Sequence, residues 1–202
     1  MGMKKFKNIS GDLKDTHVAD MRRTEKLFLK QFGVRLFVTH GTLLGVIRDS
    51  DFIPYDNDID MAYLSKYNKS VDIRSEWKEI VSTLNSIFKS RGSDKRVKKD
   101  HMGHMHFWAL PSLKTRLDVH TAWVRAGKMY HSRHIYANLP ANTLLPFRRW
   151  DMRGEKLLVP NKSGKLLEYW YGHDWKKPKN KYPTLTEVHK KCRKKVRSFL
   201  KW

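Results

Sequence analysis

The chain has 202 residues, 40% of them hydrophobic, and carries 42 Lys and Arg against 20 Asp and Glu, a net charge of 42 − 20 = +22. That much apolar side chain excludes a wholly disordered polymer, and a single cysteine, Cys192, excludes an internal disulfide framework or a cysteine-rich zinc site. No apolar run approaches the roughly 20 residues that span a bilayer and the N-terminal MGMKKFKNISGDLKD lacks an apolar signal core, so the reading is a soluble, cytoplasmic protein drawn to polyanions.

In chain order, Val18, Met21, Phe28 and Phe32 recur at helical spacing over 16–32, and Gly33 ends that helix. VRLFVT (34–39) is rich in β-formers and predicts a buried strand. Gly41-Thr42 turns the chain into a short helix, TLLGVIR, and the alternating DIDMAYL (58–64) predicts a second strand. Trp77, Ile80, Val81, Leu84, Ile87 and Phe88 line one side of an amphipathic helix over 75–90. After the basic run 89–99, HMHFWAL (104–110) and RLDVHTAWV (116–124) are strand-like, and 144–160 predicts two short strands around Arg153-Gly154. SGKLLEYWYG (163–172) predicts a helix capped by Ser163 and ended by Gly172. From Thr184, Leu185, Val188, Cys192, Val196, Phe199 and Leu200 share a helical face, so a docked basic helix is expected over 184–202, within the stretch 176–202 that holds eleven Lys and Arg. The expectation is one α+β domain over 1–202 with its core at about 16–178.

Against this basic background, Asp56, Asp58 and Asp60 place three carboxylates in five positions. On a strand, Asp58 and Asp60 point to the same face. Two carboxylates so close repel unless a cation lies between them, and oxygen-only ligands favour Mg²⁺ or Mn²⁺. Asp118, between Leu117 and Val119 in an apolar strand, offers a third carboxylate. An isolated D-x-D is more often a solvated turn. The upstream Gly41-Thr42 shifts the balance, because amides at a helix start seat phosphate. A phosphate seat, a metal and a base together point to phosphoryl transfer.

GTLLGVIRDSDFIPYDNDIDMAY closely resembles the signature of the LicD and fukutin-related phosphotransferase family: G-T-L-L-G, an Arg, then I-P-W-D-D-D-I-D. A second block, LPFRRWDMRGEKLLVPNKSGKLLEYWYGHDWKKP (145–178), is similar to that family's downstream pattern. The resemblance implies a nucleotidyltransferase-like fold, a small central mixed sheet flanked by helices. It implies transfer of a phospho-alcohol such as phosphocholine, ribitol phosphate or glycerol phosphate from a CDP-linked donor to a glycan hydroxyl, with release of CMP. Carried over, Asp58 and Asp60 hold the metal, and Asp118 completes its shell or takes the acceptor's proton. Gly41, Thr42, Arg48 and Asp56 lie by the donor. Tyr55 and Asn57 depart from the pattern, standing where the family has Trp and a middle Asp.

His40 flanks the Gly turn, His120 on the Asp118 face could assist proton transfer or line the pocket, and Lys156, with Arg148 and Arg149, is a candidate for donor phosphates or acceptor anions, against a solvated basic face. His101, His104 and His106 have a spacing that could ligate zinc, against surface or acceptor-lining roles. Trp123, Trp150, Trp170 and Trp175, with Tyr169 and Tyr171, could cage a quaternary ammonium, although core packing is the commoner use. The acceptor is expected to be a glycan or polysaccharide, free or lipid-linked, and the basic tail would touch an anionic membrane surface or a phosphorylated polymer. The alternatives are NMP attachment with pyrophosphate release, and a basic nucleic-acid-binding protein that no motif supports beyond charge.

Overall fold

The structure, a computed structural model, describes residues 4–93, 96–99, 104–108, 115–132 and 139–178. The expected basic helix at 184–202 and His101 lie outside the described residues. Helix α1 (Gly11–Phe32) starts earlier than its apolar spacing predicts, because Ser10 accepts the Leu13 N–H, and ends at Gly33 in the left-handed region. Strand β1 (Leu36–Val38), helix α2 (His40–Asp49) and strand β2 (Asp60–Leu64) follow. Helix α3 (Ser70–Ser90) begins five residues before the predicted start. Then come β3 (Lys98–Lys99), β4 (Met105–Trp108), β5 (Arg116–Arg125) and β6 (Lys128–His131). The hairpin β7 (Arg148–Met152) and β8 (Glu155–Val159) precedes α4 (Ser163–Tyr171).

Six strands form a mixed sheet in the order β1-β2-β5-β4-β3, with β6 also on β5. Among the described residues, only β2 and β5 run parallel. The ten residues of β5 give one edge to β4 over 116–119 and then to β6 over 122–125, so the ends of β4 and β6 converge near His120. β6 is absent from the sequence reading; its signal is Ala126-Gly127, a two-residue turn with positive φ at both positions. Arg153-Gly154 makes the same turn between β7 and β8, as its sequence predicts. Ser163 corrects the predicted cap: its hydroxyl donates to the Pro160 carbonyl rather than receiving a helix N–H.

Alternation sorts the sheet into two faces. Met61, Tyr63, Phe107, Leu117 and Val119 share one, where Phe28 of α1 lies 6.4 Å from Tyr63 and 6.1 Å from Phe107, and Phe88 of α3 lies 6.3 Å from Phe107. These rings are fully buried, each stabilising by about 1.5–3 kcal/mol. Asp60, His106, Asp118 and His120 share the opposite face. The N-terminal segment clasps the loop before β2: Phe6 N–H donates to the Asp56 carbonyl at 2.9 Å, Lys7 N–H to that of Pro54 at 2.8 Å, and Phe6 stacks on Phe52.

Candidate functional site

Register brings the carboxylates together. Asp60 of β2 pairs with Asp118 of β5, and Asp118 with His106 of β4, so one row crosses three strands. Asp58 lies two residues before Asp60, ahead of the strand proper. Oxygens of Asp58, Asp60 and Asp118 lie within 4.8 Å of one another, with Asp60 and Asp118 buried. Three oxygen donors so placed could hold a metal ion, and a hard divalent ion suits their chemistry.

The residues around them fix this geometry. The Asp60 N–H donates to Thr42 Oγ1 at 2.8 Å, and the Asp60 carbonyl accepts the Thr39 N–H at 3.2 Å. Both backbone groups of Asp60 are thus tied to the start of α2. Gly41 and Thr42 lie inside the first turn of that helix rather than in a turn before it. A side chain at Gly41 would put its Cβ 2.6 Å from Asp56 Oδ2, and one at Gly45 would put it 2.4 Å from the Asp51 carbonyl. The glycines of GTLLG therefore admit the acidic loop against α2. Asp56 accepts the Asn57 N–H, and its carboxyl is pushed up to about 8 by burial, with the hydrogen bond and charge of Asp58 adding to the shift.

The histidines divide between two neighbours. His106 Nδ1 stands 2.7 Å from Asp118 Oδ1, an ion pair when the imidazole is charged, and Arg116 approaches the same oxygen at 3.5 Å. His120 Nε2 lies 2.9 Å from Asp60 Oδ1. Ring centroids of His104 and His120 are 4.5 Å apart, those of His40 and His120 5.0 Å, and those of His40 and His131 4.7 Å. Trp170 of α4 stacks on His40 at 4.8 Å. Sequence reasoning missed His131 and this role of Trp170, since the shared edge of β5 brings His131 to His120 and the packing of α4 brings Trp170 to His40.

Other candidates lie elsewhere. Arg48 chelates the neighbouring Asp49, with contacts of 2.8 and 2.6 Å, about 10 Å along α2 from Gly41 at 1.5 Å per residue. Lys156 is exposed on β8, and Arg149 binds Glu25 of α1. The tryptophans go to separate contacts: Trp123 stacks on Tyr130, Trp175 joins the core, and Trp150 is exposed. Tyr55 is exposed beneath the Lys7 ammonium, 4.7 Å from the ring centre.

The model of one protein family, LicD/FKTN/FKRP, nucleotidyltransferase domain, matches residues 33–162. The match takes in the three carboxylates, the GTLLG segment and the β7-β8 hairpin, and ends one residue before α4. No curated protein matches the chain.

Proposed function

With more than half of its length matched, the chain belongs to the LicD/FKTN/FKRP family and carries a transferase domain; on that premise we propose that it moves a phospho-alcohol from a CDP-linked donor to a glycan hydroxyl. The family points to transfer of a phosphorylated group in glycan modification. The CDP-linked donor, the released CMP and the acceptor class are our reading. The observation that carries it is the convergence of Asp58, Asp60 and Asp118 oxygens within 4.8 Å inside the matched region.

Asp58 and Asp60 would hold Mg²⁺ or Mn²⁺, with Asp118 within reach of the same ion. When bound, such an ion would offset the donor's diphosphate charge and stabilise the departing CMP. Thr42 holds the Asp60 backbone in place, and His106 orients Asp118. Asp118 takes the acceptor hydroxyl's proton as that oxygen attacks phosphorus, the new P–O bond forms, and the bond to CMP breaks. The amides of Gly41 and Thr42 seat the donor, with Asp56 beside them. Donor contact by Arg48 requires its side chain to leave Asp49. An acceptor already bearing phosphate, or carried on a lipid at an anionic membrane surface, would suit the net charge of +22. Among the described residues, no helix is long and apolar enough to cross a membrane.

The test is CMP release with Mg²⁺ or Mn²⁺ from CDP-choline, CDP-ribitol, CDP-glycerol and CDP-ethanolamine in the presence of glycan acceptors. Asp58→Ala should lower turnover by more than about 100-fold, the scale of losing a transition-state charge stabiliser. Full turnover in both Asp58→Ala and Asp60→Ala would overturn the reading. Release of pyrophosphate from nucleoside triphosphates would move it to NMP transfer.

A further inference from the structure

We propose that the chain has a second metal position, formed by ring nitrogens of His40 and His120 and an oxygen of Asp60, and suited to Zn²⁺. It goes beyond the transfer reading, because its ligands are chiefly nitrogen and two of its three residues lie outside the carboxylate set. Three observations carry it.

The first is geometry. One donor atom from each of His40, Asp60 and His120 lies within 4.8 Å of the other two. Ligands about 2.0–2.1 Å from a tetrahedral ion stand about 3.4 Å apart. His120 Nε2 and Asp60 Oδ1 are at 2.9 Å, so entry of an ion needs a shift of about half an ångström at that pair. The second is burial. His40 is 7% exposed, Asp60 5% and His120 0%, with His104 and His131 also buried around them. Two nitrogens and one carboxylate oxygen match the donors of zinc sites that keep a fourth position open.

The third is backbone strain. His40 has φ +46° although it is not glycine, a conformation that costs about 1–2 kcal/mol in an L-residue. Strain of this kind persists where surrounding structure over-determines it, often at functional sites. Here it turns the ring at the first position of α2 toward His120 and His131, and Trp170 stacks on it with planes 10° apart. The ring is thus held before any ion arrives. Asp60 belongs to both groups, so its carboxylate would bridge the nitrogen position and the Asp58/Asp118 position. His104 and His131 pack against the ligand rings as an outer layer.

The experiment measures Zn²⁺ binding by the full chain, stripped with chelator and titrated in excess Mg²⁺ to fill the carboxylate position. One tight equivalent is expected in the wild type. X-ray absorption at the zinc edge should show imidazole scattering from about two nitrogens at about 2.0 Å, a readout that needs no variant. His40→Asn, whose side chain tolerates positive φ, should weaken binding by more than about 100-fold, beyond the 10–100-fold of an outer-layer loss. The double variant Asp58→Asn/Asp118→Asn should lose transfer activity but keep the zinc. Loss of zinc in that double variant with retention in His40→Asn, absence of any tight equivalent, or a spectrum with oxygen ligands only would each overturn the proposal. Failure of the transfer reading would instead show as a wild type that binds zinc yet releases no CMP.

Discussion

Replacing Asp56 by Asn should stabilise the metal-free protein. Burial and the neighbouring Asp58 raise the Asp56 carboxyl from 3.8 to about 8. At pH 7 the unfolded chain carries it ionised and the folded chain carries it protonated, so folding takes up a proton. The cost over 3.2 pH units at 1.36 kcal/mol each is about 4 kcal/mol. Asn keeps an oxygen to accept the Asn57 N–H, now at 2.9 Å, and cannot ionise. Allowing for relaxation of the loop, the gain at pH 7 is of order 2–4 kcal/mol, or roughly 5–15 °C in melting temperature for a chain of this size. The sign with pH follows from the raised value. The group favours folding most below pH 3.8, and that contribution is lost as pH rises toward 8. Urea unfolding in chelator, followed by tryptophan fluorescence at pH 5 and pH 8, should show wild-type stability falling with pH and a shallower fall in Asp56→Asn. Excess Mg²⁺ should shrink the gap, because a bound cation favours the ionised carboxylates. Equal pH slopes in the two proteins, or a variant less stable at both pH values, would refute the account of this loop.

Three further outcomes follow from the same geometry. Gly45→Ala drives a Cβ into the Asp51 carbonyl and to 3.2 Å from Ile53 N, so it should cost about 1–3 kcal/mol in urea unfolding. Thr42→Val leaves the buried Asp60 N–H without its acceptor and should cost about 1–3 kcal/mol, with weaker Mn²⁺ binding by calorimetry as Asp60 loosens. Adding Mg²⁺ or Mn²⁺ at 100 times the dissociation constant should stabilise the wild type by about 2.7 kcal/mol in urea unfolding, and Asp58→Ala should remove that gain.

Most strands and helices were legible because period-two and helical apolar patterns survive in the chain. Asp118 was readable as a third carboxylate on a neighbouring strand, but its register opposite Asp60 was not, because inter-strand pairing leaves no local pattern. The long start of α1 was not, since Gly11, Asp12 and Asp15 carry no apolar signal and only the Ser10 cap marks it. The Arg153-Gly154 turn was readable from its dipeptide, whereas Ala126-Gly127 is a weaker mark of the same geometry. The histidines show the limit most plainly. His104 and His106 share a spacing, yet their neighbours differ, His120 for one and Asp118 for the other. What brings both His104 and His131 to His120 is the division of one strand edge between β4 and β6, a fact of tertiary pairing that no local window contains.

The N-terminal clasp has a consequence for how the acidic loop comes into being. Phe6 and Lys7 bond to Asp56 and Pro54 across about fifty residues, and contacts so distant along the chain form only after loop-closure entropy has been met. A peptide of residues 40–63 would carry Asp56, Asp58 and Asp60 but neither the Asp118 strand beside them nor the clasp behind them. Its affinity for divalent ions should be that of a flexible acidic peptide. The acidic centre is a product of assembly: the β5 strand, the start of α2 and the segment carrying Phe6 and Lys7 each hold one side of it, and no one of them is local to the acidic loop.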